Sequence, residues 1–539
     1  MFDFAAHGLI ETPVRRPLPG GGADTVGAIL DRHLEWQPGR LALVGRSGRF
    51  TYAELDVQVA LAAAVLHELG VRRYDRVAAC LPNDVDIVIA LLACARLGAI
   101  WVGINRPLAA PEKALLLVDS GASVYLTDVE GAAEIAPERA ALDTLQHLMN
   151  VDEGHGAQSW REHLDQADPV HCPEVDVDSF DPAAIAYTSG TTGHPKGAVH
   201  SHHNVLLPGA IAAFEGRFGA DCPQGVMLPL TILNLMVLAP LTAFQDGSTC
   251  VCIDSVRPRD IARWVKQESV GHFASVPTII QDLLTSPEVD PADLATLGHP
   301  DIGGAGIAKS FQTLYRERFG RCMTVAYGMT EAPTIVTKTD PDREPEEELC
   351  GRAVAQVDIV IVDNNDRALP TGEIGEICVR PAAGGPYAQV YATMLGYWNR
   401  ADETAKALAG GMYHSGDLGY LDDGGQLFIR GRTKELIIRG GANVYPAEIE
   451  RVLVSHPLVA DAAVLGVPDE RLGERVVAAV ELVPGVDQQS PRELEEGLFE
   501  LCASQIARYK VPAAIRVVSA LPRNAMNKVI KPQLRTLFS

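Results

Sequence analysis

The chain has 539 residues, of which 47% are hydrophobic and 21% charged, and a formal net charge of −23. That length exceeds what one hydrophobic core serves, so two or more domains are expected. An acidic excess this large argues against wrapping nucleic acid or lying on anionic lipid, while leaving room for a local cationic groove.

In chain order, the first residues, "MFDFAAHGLIETPVRRPLPGGG", carry no signal-peptide pattern. The ten cysteines are scattered without a Cys-x-x-Cys pair. They read as reduced thiols of a cytoplasmic protein, and the nearest pair, Cys250 and Cys252, as core packing rather than a metal site. Thr51-x-x-Glu54 makes a capping box, with Leu55, Val59, Ala62, Leu66 and Leu69 at helical spacing and Gly70 as the stop. "RVAACL" (76–81) reads as a buried strand, "DIVIALLACARLGA" (86–99) as a helix and "IWVGI" (100–104) as a second strand. Such alternation predicts a parallel sheet with helices on both faces and ligands beyond the carboxyl ends of its strands.

A strand-like run, "AAIAY" (183–187), leads into "TSGTTGHPKG" (188–197). Further on, "GVMLPLTILNLMVLAPLTAF" (225–244) is uncharged and about long enough to cross a bilayer. Pro229, Asn234 and Pro240 interrupt it and no basic cluster flanks it, so it reads as a buried strand-turn-helix, without stable membrane insertion. Around 350–430 the runs "VDIVIVDNNDRALPTGEIGEICV" and "GYLDDGGQLFIRGR" predict a small antiparallel, β-barrel-like subdomain of hairpins. After Arg432, Pro446 starts a helix with Ile449, Val452 and Leu453 inward, "AAVLGV" and "RVVAAVELV" read as strands, and Ser490-Pro491-x-Glu493 opens another helix. The fold class is therefore α/β: a large N-terminal domain, 1–432, of parallel-sheet αβα layers with the small subdomain, and a small α+β C-terminal domain, 433–539.

"TSGTTGHPKG" is nearly a P-loop. A Walker loop needs G-x-x-x-x-G-K-[ST], whose last hydroxyl binds magnesium. Here Pro195 stands for the second glycine and Gly197 for the hydroxyl, and "AVHSHHNV" follows instead of an amphipathic helix. Anion holding survives: Thr188, Ser189, Thr191 and Thr192 offer hydroxyls, Gly190 and Gly193 let backbone N–H groups approach, and Lys196 supplies a cation. The alternative is a mobile surface loop. His200, His202 and His203 could suggest a metal, and core packing is the preferred reading.

The whole stretch "YTSGTTGHPKGAVHSHHN" (187–204) resembles the signature of the adenylate-forming superfamily, which includes AMP-forming acyl-CoA synthetases. "YGMTE" (327–331), "HSGDLGYLDDGG" (414–425), "GRTKELIIRGGANVYPAEIE" (431–450) and "ARYKVPAAIRVVSALPRNAMNK" (507–528) are similar to further motifs of that family, in its order. The resemblance implies ATP, Mg²⁺ and coenzyme A as cofactor and co-substrates. Residues 188–196 would grip the β- and γ-phosphates as the departing pyrophosphate. Thr330 would contact phosphate, Glu331 hold magnesium and Tyr327 pack on adenine beside the Gly304 and Ala305 backbone. Asp417 and Arg432 would reach the ribose. Lys528 would bridge the substrate carboxylate and the α-phosphate, with Asn527 where the family usually has glycine. Lys434 would be the hinge of a mobile C-terminal domain, and Gly440 and Gly441 would line the pantetheine tunnel. Taken singly, Asp417 reads as a turn residue, Tyr327 as a core aromatic, Glu331 and Lys528 as exposed charges and the Gly440–Gly441 pair as a hairpin turn.

The acid pocket implied by the resemblance spans 228–236, 273–280 and 302–306. Thr231 and Ile232 replace the family's aromatic-histidine pair, and the lining expected from Leu233, Leu235, Met236, Phe273, Val276 and Gly303 is uncharged. That favours a hydrophobic monocarboxylic acid over an amino acid. The leading expectation is an acyl-CoA ligase acting on small molecules, compatible with a homodimer. An enzyme loading a carrier-protein phosphopantetheine and a non-catalytic nucleotide-binding relative are the alternatives.

Overall fold

The structure, a computed structural model, describes residues 2–152, 159–188, 195–298, 300–303, 309–344, 346, 348–439, 442–469, 471–485, 491–524 and 528–538. The chain forms two compact units, Met1–Ile359 with Val379–His414, and Val360–Cys378 with Ser415–Ser539.

The first unit holds two stacks of parallel strands. One is a seven-stranded sheet in the order Gly396–Tyr397, Lys196–Ser201, Pro182–Thr188, Ile100–Gly103, Arg76–Cys80, Val124–Thr127, His147–Asn150. From Pro182–Thr188 onward all neighbours are parallel. The two strands before it are antiparallel additions. The parallel strands are short apolar runs because both faces are covered. The predicted capping box forms: the Glu54 N–H donates to Thr51 Oγ1 at 3.3 Å and the Thr51 N–H to Glu54 Oε2 at 2.8 Å. It starts the helix Tyr52–Glu68, whose Leu55, Val59, Ala62 and Leu66 are buried. The next helix, Val85–Arg96, is buried from Val85 to Ala95, with Asp84 accepting from the Val85 N–H.

The second sheet of this unit passes through Ala332–Lys338, Val325–Met329, Asp301–Gly303, His272–Ser275, Gln224–Val226, Cys250–Cys252 and Leu41–Gly45. The pairings from Val325–Met329 to Leu41–Gly45 are parallel, and Ala332–Lys338 turns back antiparallel. The uncharged 225–244 segment is the expected strand, turn and helix. After Gln224–Val226 come Leu233–Met236, a wider π-helical turn at Val237–Leu241 holding Pro240, and Thr242–Asp246, stopped by Gly247 at φ +73°. Among the described residues no helix is long and apolar enough to cross a membrane. All ten cysteines are free, and Cys250 and Cys252 are buried in their strand.

The strand Tyr413–Leu421, which belongs to the second unit from Ser415 onward, and Gln426–Arg432 form an antiparallel hairpin, with Gly425 in its turn at φ +70°. A five-stranded sheet follows, dominated by the long hairpin Val459–Asp469 and Gly473–Leu482. The helices Pro446–Val454 and Pro491–Gln505 pack on it through Ile449, Leu453, Leu498 and Cys502.

Candidate active site

Ser189, Gly190, Thr191, Thr192 and Gly193 lie outside the described residues, but both ends of their loop are placed. Thr188 ends one strand opposite Lys196, and its hydroxyl donates to the Lys196 carbonyl at 3.4 Å. Gly197 sits opposite Tyr187. A Cβ there would come within 2.5 Å of Ile185 Cγ2 and 3.2 Å of the Tyr187 ring. The residue that spoiled the Walker pattern is therefore required by hairpin packing, since no side chain fits.

The two-residue strand Gly396–Tyr397 lies alongside, with the Trp398 N–H donating to the Gly197 carbonyl at 2.8 Å. Gly396 is at φ +129°, where a Cβ would strike Thr404 at 2.5 Å, so the strand turns here only with glycine. This register puts the Tyr397 ring 5.1 Å from Lys196 Nζ, while the Tyr397 hydroxyl donates to Glu331 Oε1 at 2.9 Å. Burial and the Glu331 carboxylate push the Tyr397 phenol well above its ordinary pKa, so it remains a donor. Lys196 Nζ is also 3.7 Å from Glu403 Oε1. Below the loop, Arg400 Nη2 donates to the Pro195 carbonyl at 3.4 Å and pairs with Asp119, which accepts from the Tyr187 hydroxyl at 2.7 Å.

Thr330 and Glu331 occupy the turn between Val325–Met329 and Ala332–Lys338. His200 Nε2 donates to the Thr330 carbonyl at 2.9 Å, and Asn204 Nδ2 donates to His200 Nδ1 at 3.0 Å. A carbonyl can only accept, so this imidazole is the neutral Nε2–H tautomer. Burial pushes its pKa down to about 4. Asn234 Nδ2 donates to the Met329 carbonyl at 3.2 Å, holding the turn from its other side. The histidine cluster splits among separate partners: the Val26 N–H donates to His202 Nδ1 at 3.3 Å, and His203 stacks on Phe180. Among the described residues the three form no metal-ligand group. Tyr327 is half-buried against the main core. Gly304 and Ala305 lie outside the described residues. Gly303, the last residue of its strand, has open space where a Cβ would stand.

Of the expected acid-pocket residues, Leu233 and Met236 are buried in the main core, and Leu235 and Val276 are half-buried. Phe273 packs into a separate core with Met227, Ile261 and Ile302. Its neighbours His272 and Ala274 face the other way, into a cavity of about 170 Å³ that also meets Leu238, Asp301 and Ile335.

In the second unit Asp417 stands opposite Arg432, with Arg432 Nε 3.1 Å from Asp417 Oδ1. Gly416 at φ +71° and the Ser415 hydroxyl, which accepts from the Asp417 N–H at 3.0 Å, fix the carboxylate's approach. Lys434 is exposed in the turn Thr433–Glu435. Lys528 is exposed and is hydrogen-bonded twice to Asn524. Its N–H donates to Asn524 Oδ1 at 2.9 Å, and its carbonyl accepts from the Asn524 N–H at 2.9 Å. Asn527, Gly440 and Gly441 lie outside the described residues.

Within the first unit the donor set fits a magnesium-bound phosphate group: Glu331 offers hard carboxylate oxygens and Lys196 an ammonium. Within the second unit the Asp417–Arg432 pair offers an acceptor beside a cation. Sequence reading missed Tyr397, Glu403, Arg400 and Asp119. The only local signal was the aromatic pair in "LGYWNR".

Comparison with known proteins places the chain in a family. Residues 30–398 match the AMP-binding enzyme family and residues 448–528 the AMP-binding enzyme C-terminal domain. The long-chain-fatty-acid–CoA ligase FadD13 of Mycobacterium tuberculosis is 32% identical over 495 residues, covering 91% of this chain and 93% of that protein. The fatty acid–[acyl-carrier-protein] ligase ScoC of Streptomyces coeruleorubidus is 32% identical over 515 residues, covering 94% and 95%. The crystal structure of ATP-bound MatB from Rhodopseudomonas palustris superposes with a TM-score of 0.82 at 28% identity, covering 96% of this chain and 99% of that one.

Proposed function

Because the chain belongs to the AMP-binding enzyme family, we propose a division of labour among its residues for the family's acid–thiol ligation, with a hydrophobic monocarboxylic acid as substrate. The enzyme is an AMP-forming ligase: it uses ATP to convert a carboxylic acid to acyl-AMP, then transfers the acyl group to the thiol of coenzyme A. The first step joins a carboxylate oxygen to the α-phosphorus and breaks the bond to the β-phosphate, releasing pyrophosphate. The second forms the thioester and releases AMP. Both reactants of the first step are anions, so convergent cations and donors supply most of the catalysis.

The observation that carries this reading is the chain Lys196–Tyr397–Glu331, joined by His200 to Thr330. Lys196, with Thr188, is proposed to hold the pyrophosphate, and Thr330 to contact phosphate. Glu331 is proposed to hold Mg²⁺, which neutralises phosphate charge when bound. Asp417 and Arg432 are proposed to take the ribose, and Tyr327 the adenine. Lys528 suits the bridging role, because an ammonium is a compact charge with three donors and this one sits exposed, its backbone hydrogen-bonded to Asn524. Lys434 is proposed as the hinge of a mobile segment 433–539, and the Gly440–Gly441 backbone as the path of the pantetheine arm. Leu233, Leu235 and Val276 are proposed to border the acid. We place the enzyme in the cytoplasm, and a homodimer is compatible with this reading.

The test is a panel of carboxylic acids assayed for AMP release with and without coenzyme A, with thioester identified by mass. AMP and acyl-CoA from hydrophobic acids are expected. Turnover of no acid would overturn the reading, and thioester formed on a phosphopantetheinyl carrier protein but not on coenzyme A would overturn its acceptor.

A further inference from the structure

We propose that the acid's tail enters the 170 Å³ cavity and that the cavity selects tails carrying a hydrogen-bonding oxygen, a hydroxyl or a carbonyl, at their far end. This deepens the ligase reading and rests on it. The cavity lies between one face of the second sheet and the helices His202–Phe214 and Thr242–Asp246. Ala274 and Asp301 are register partners on neighbouring parallel strands. Gly303 lies two residues beyond Asp301 and so on the same face, about 7 Å nearer the carboxyl ends where the chemistry is proposed. Ile335 and Lys338 come from the strand that leaves Glu331. A tail running down this face from Gly303 therefore enters the cavity.

The cavity has two kinds of wall. Pro208, Ile211, Leu238 and Ile335 are apolar. Against them stands a charged group: Lys338 Nζ is 2.6 Å from Asp301 Oδ1, His272 Nε2 is 3.9 Å from Asp301 Oδ2, and the Thr324 hydroxyl donates to Asp301 Oδ1 at 3.3 Å. Burial works to raise the Asp301 carboxyl, but His272 and Lys338 outweigh it and hold the group below its ordinary pKa, so it is ionised. Nearer the rim Arg217 pairs with Glu215 at 3.4 Å. A bare methyl end would strip water from the Lys338–Asp301 ion pair without replacing its hydrogen bonds. A hydroxyl or carbonyl oxygen replaces them. A pocket built to hydrogen-bond an oxygen discriminates against the analogue lacking it far more strongly than an apolar pocket discriminates by size.

The test uses acids matched in length, ending in methyl, in hydroxyl or in a methyl ketone, with kcat/KM measured by AMP release. The oxygenated acids should be preferred by at least about tenfold. In Lys338→Met and in His272→Leu, made separately so that one misfolded variant does not end the test, that ratio should fall to within about twofold. Equal rates in the parent enzyme, or a ratio unchanged in a folded variant, would overturn the proposal. No turnover of any acid would instead count against the ligase reading.

Discussion

The phosphate-loop hairpin and the Lys528 segment hold their charged groups in opposite ways. In the first, Lys196, Thr330 and Glu331 are tied by side chains from distant segments, through His200, Asn204, Tyr397 and Arg400, and the imidazole at the centre is fully buried. In the second, Lys528 is exposed and makes two hydrogen bonds with Asn524. A group that must keep its place through both half-reactions gains from many buried partners. One proposed to be presented and withdrawn gains from a small self-contained mount.

The sharpest way to break this contrast is at Lys528. Lys528→Ala should slow acyl-adenylate formation by about a thousandfold or more, while thioester formation from preformed acyl-adenylate changes by less than about threefold. Equal losses in the two half-reactions, followed by pyrophosphate release and by thioester mass, would remove Lys528 from the bridging role.

His200 should give the next largest effect, and in both half-reactions if the hairpin is a fixed platform. His200→Phe removes the donor to Thr330 and leaves its carbonyl and the Asn204 amide unpaired, with an expected loss in kcat of about tenfold to a hundredfold. This region should also be the acid-labile one. Burial pushes the pKa of His200, His202 and His203 each from the usual 6.5 to about 4. Between those values the unfolded chain binds more protons than the folded one. Stability is therefore fully present above about 6.5 and is lost as pH falls toward 4, by at most about 3 kcal/mol per ring. Denaturant melts at pH 7 and pH 5 should show the loss in the parent and a smaller one in His200→Phe.

The same contrast explains what could be read from sequence. The strands at 76–80 and 100–103 and the helix between them were legible because buried parallel strands are continuous apolar runs and helix starts carry local caps. Lys196, Glu331 and Lys528 could be named as candidates because each lies in a motif that stays together in the chain. Tyr397 was not, since its place depends on a two-residue strand joining the hairpin from about two hundred residues away, too short to show any periodicity. The cavity carried no signal in the sequence, where Phe273 was the residue of that strand named for the acid pocket; in the strand Phe273 faces away from His272 and Ala274, and those two carry the cavity wall.

Two smaller substitutions sharpen the contrast. Tyr397→Phe keeps the ring beside Lys196 and removes only the hydrogen bond to Glu331, so adenylation should fall by about tenfold, mainly through a raised magnesium requirement. Lys531 bears on whether the Lys528 segment is as self-contained as it looks. Its ammonium lies 2.6 Å from Glu435 and 2.8 Å from Glu450, joining the segment after Lys528 to the turn that contains Lys434. Burial works to lower its pKa, but Glu450 and Glu435 outweigh it and raise it, so the ion pairs persist through neutral pH. If this link makes the proposed hinge turn and the segment carrying Lys528 move as one piece, Lys531→Met should cost about threefold to fivefold in adenylation and leave thioester formation from preformed adenylate unchanged. An equal effect on both half-reactions would mean that the link only stabilises the second unit. No effect would mean that Asn524 alone is mount enough for Lys528.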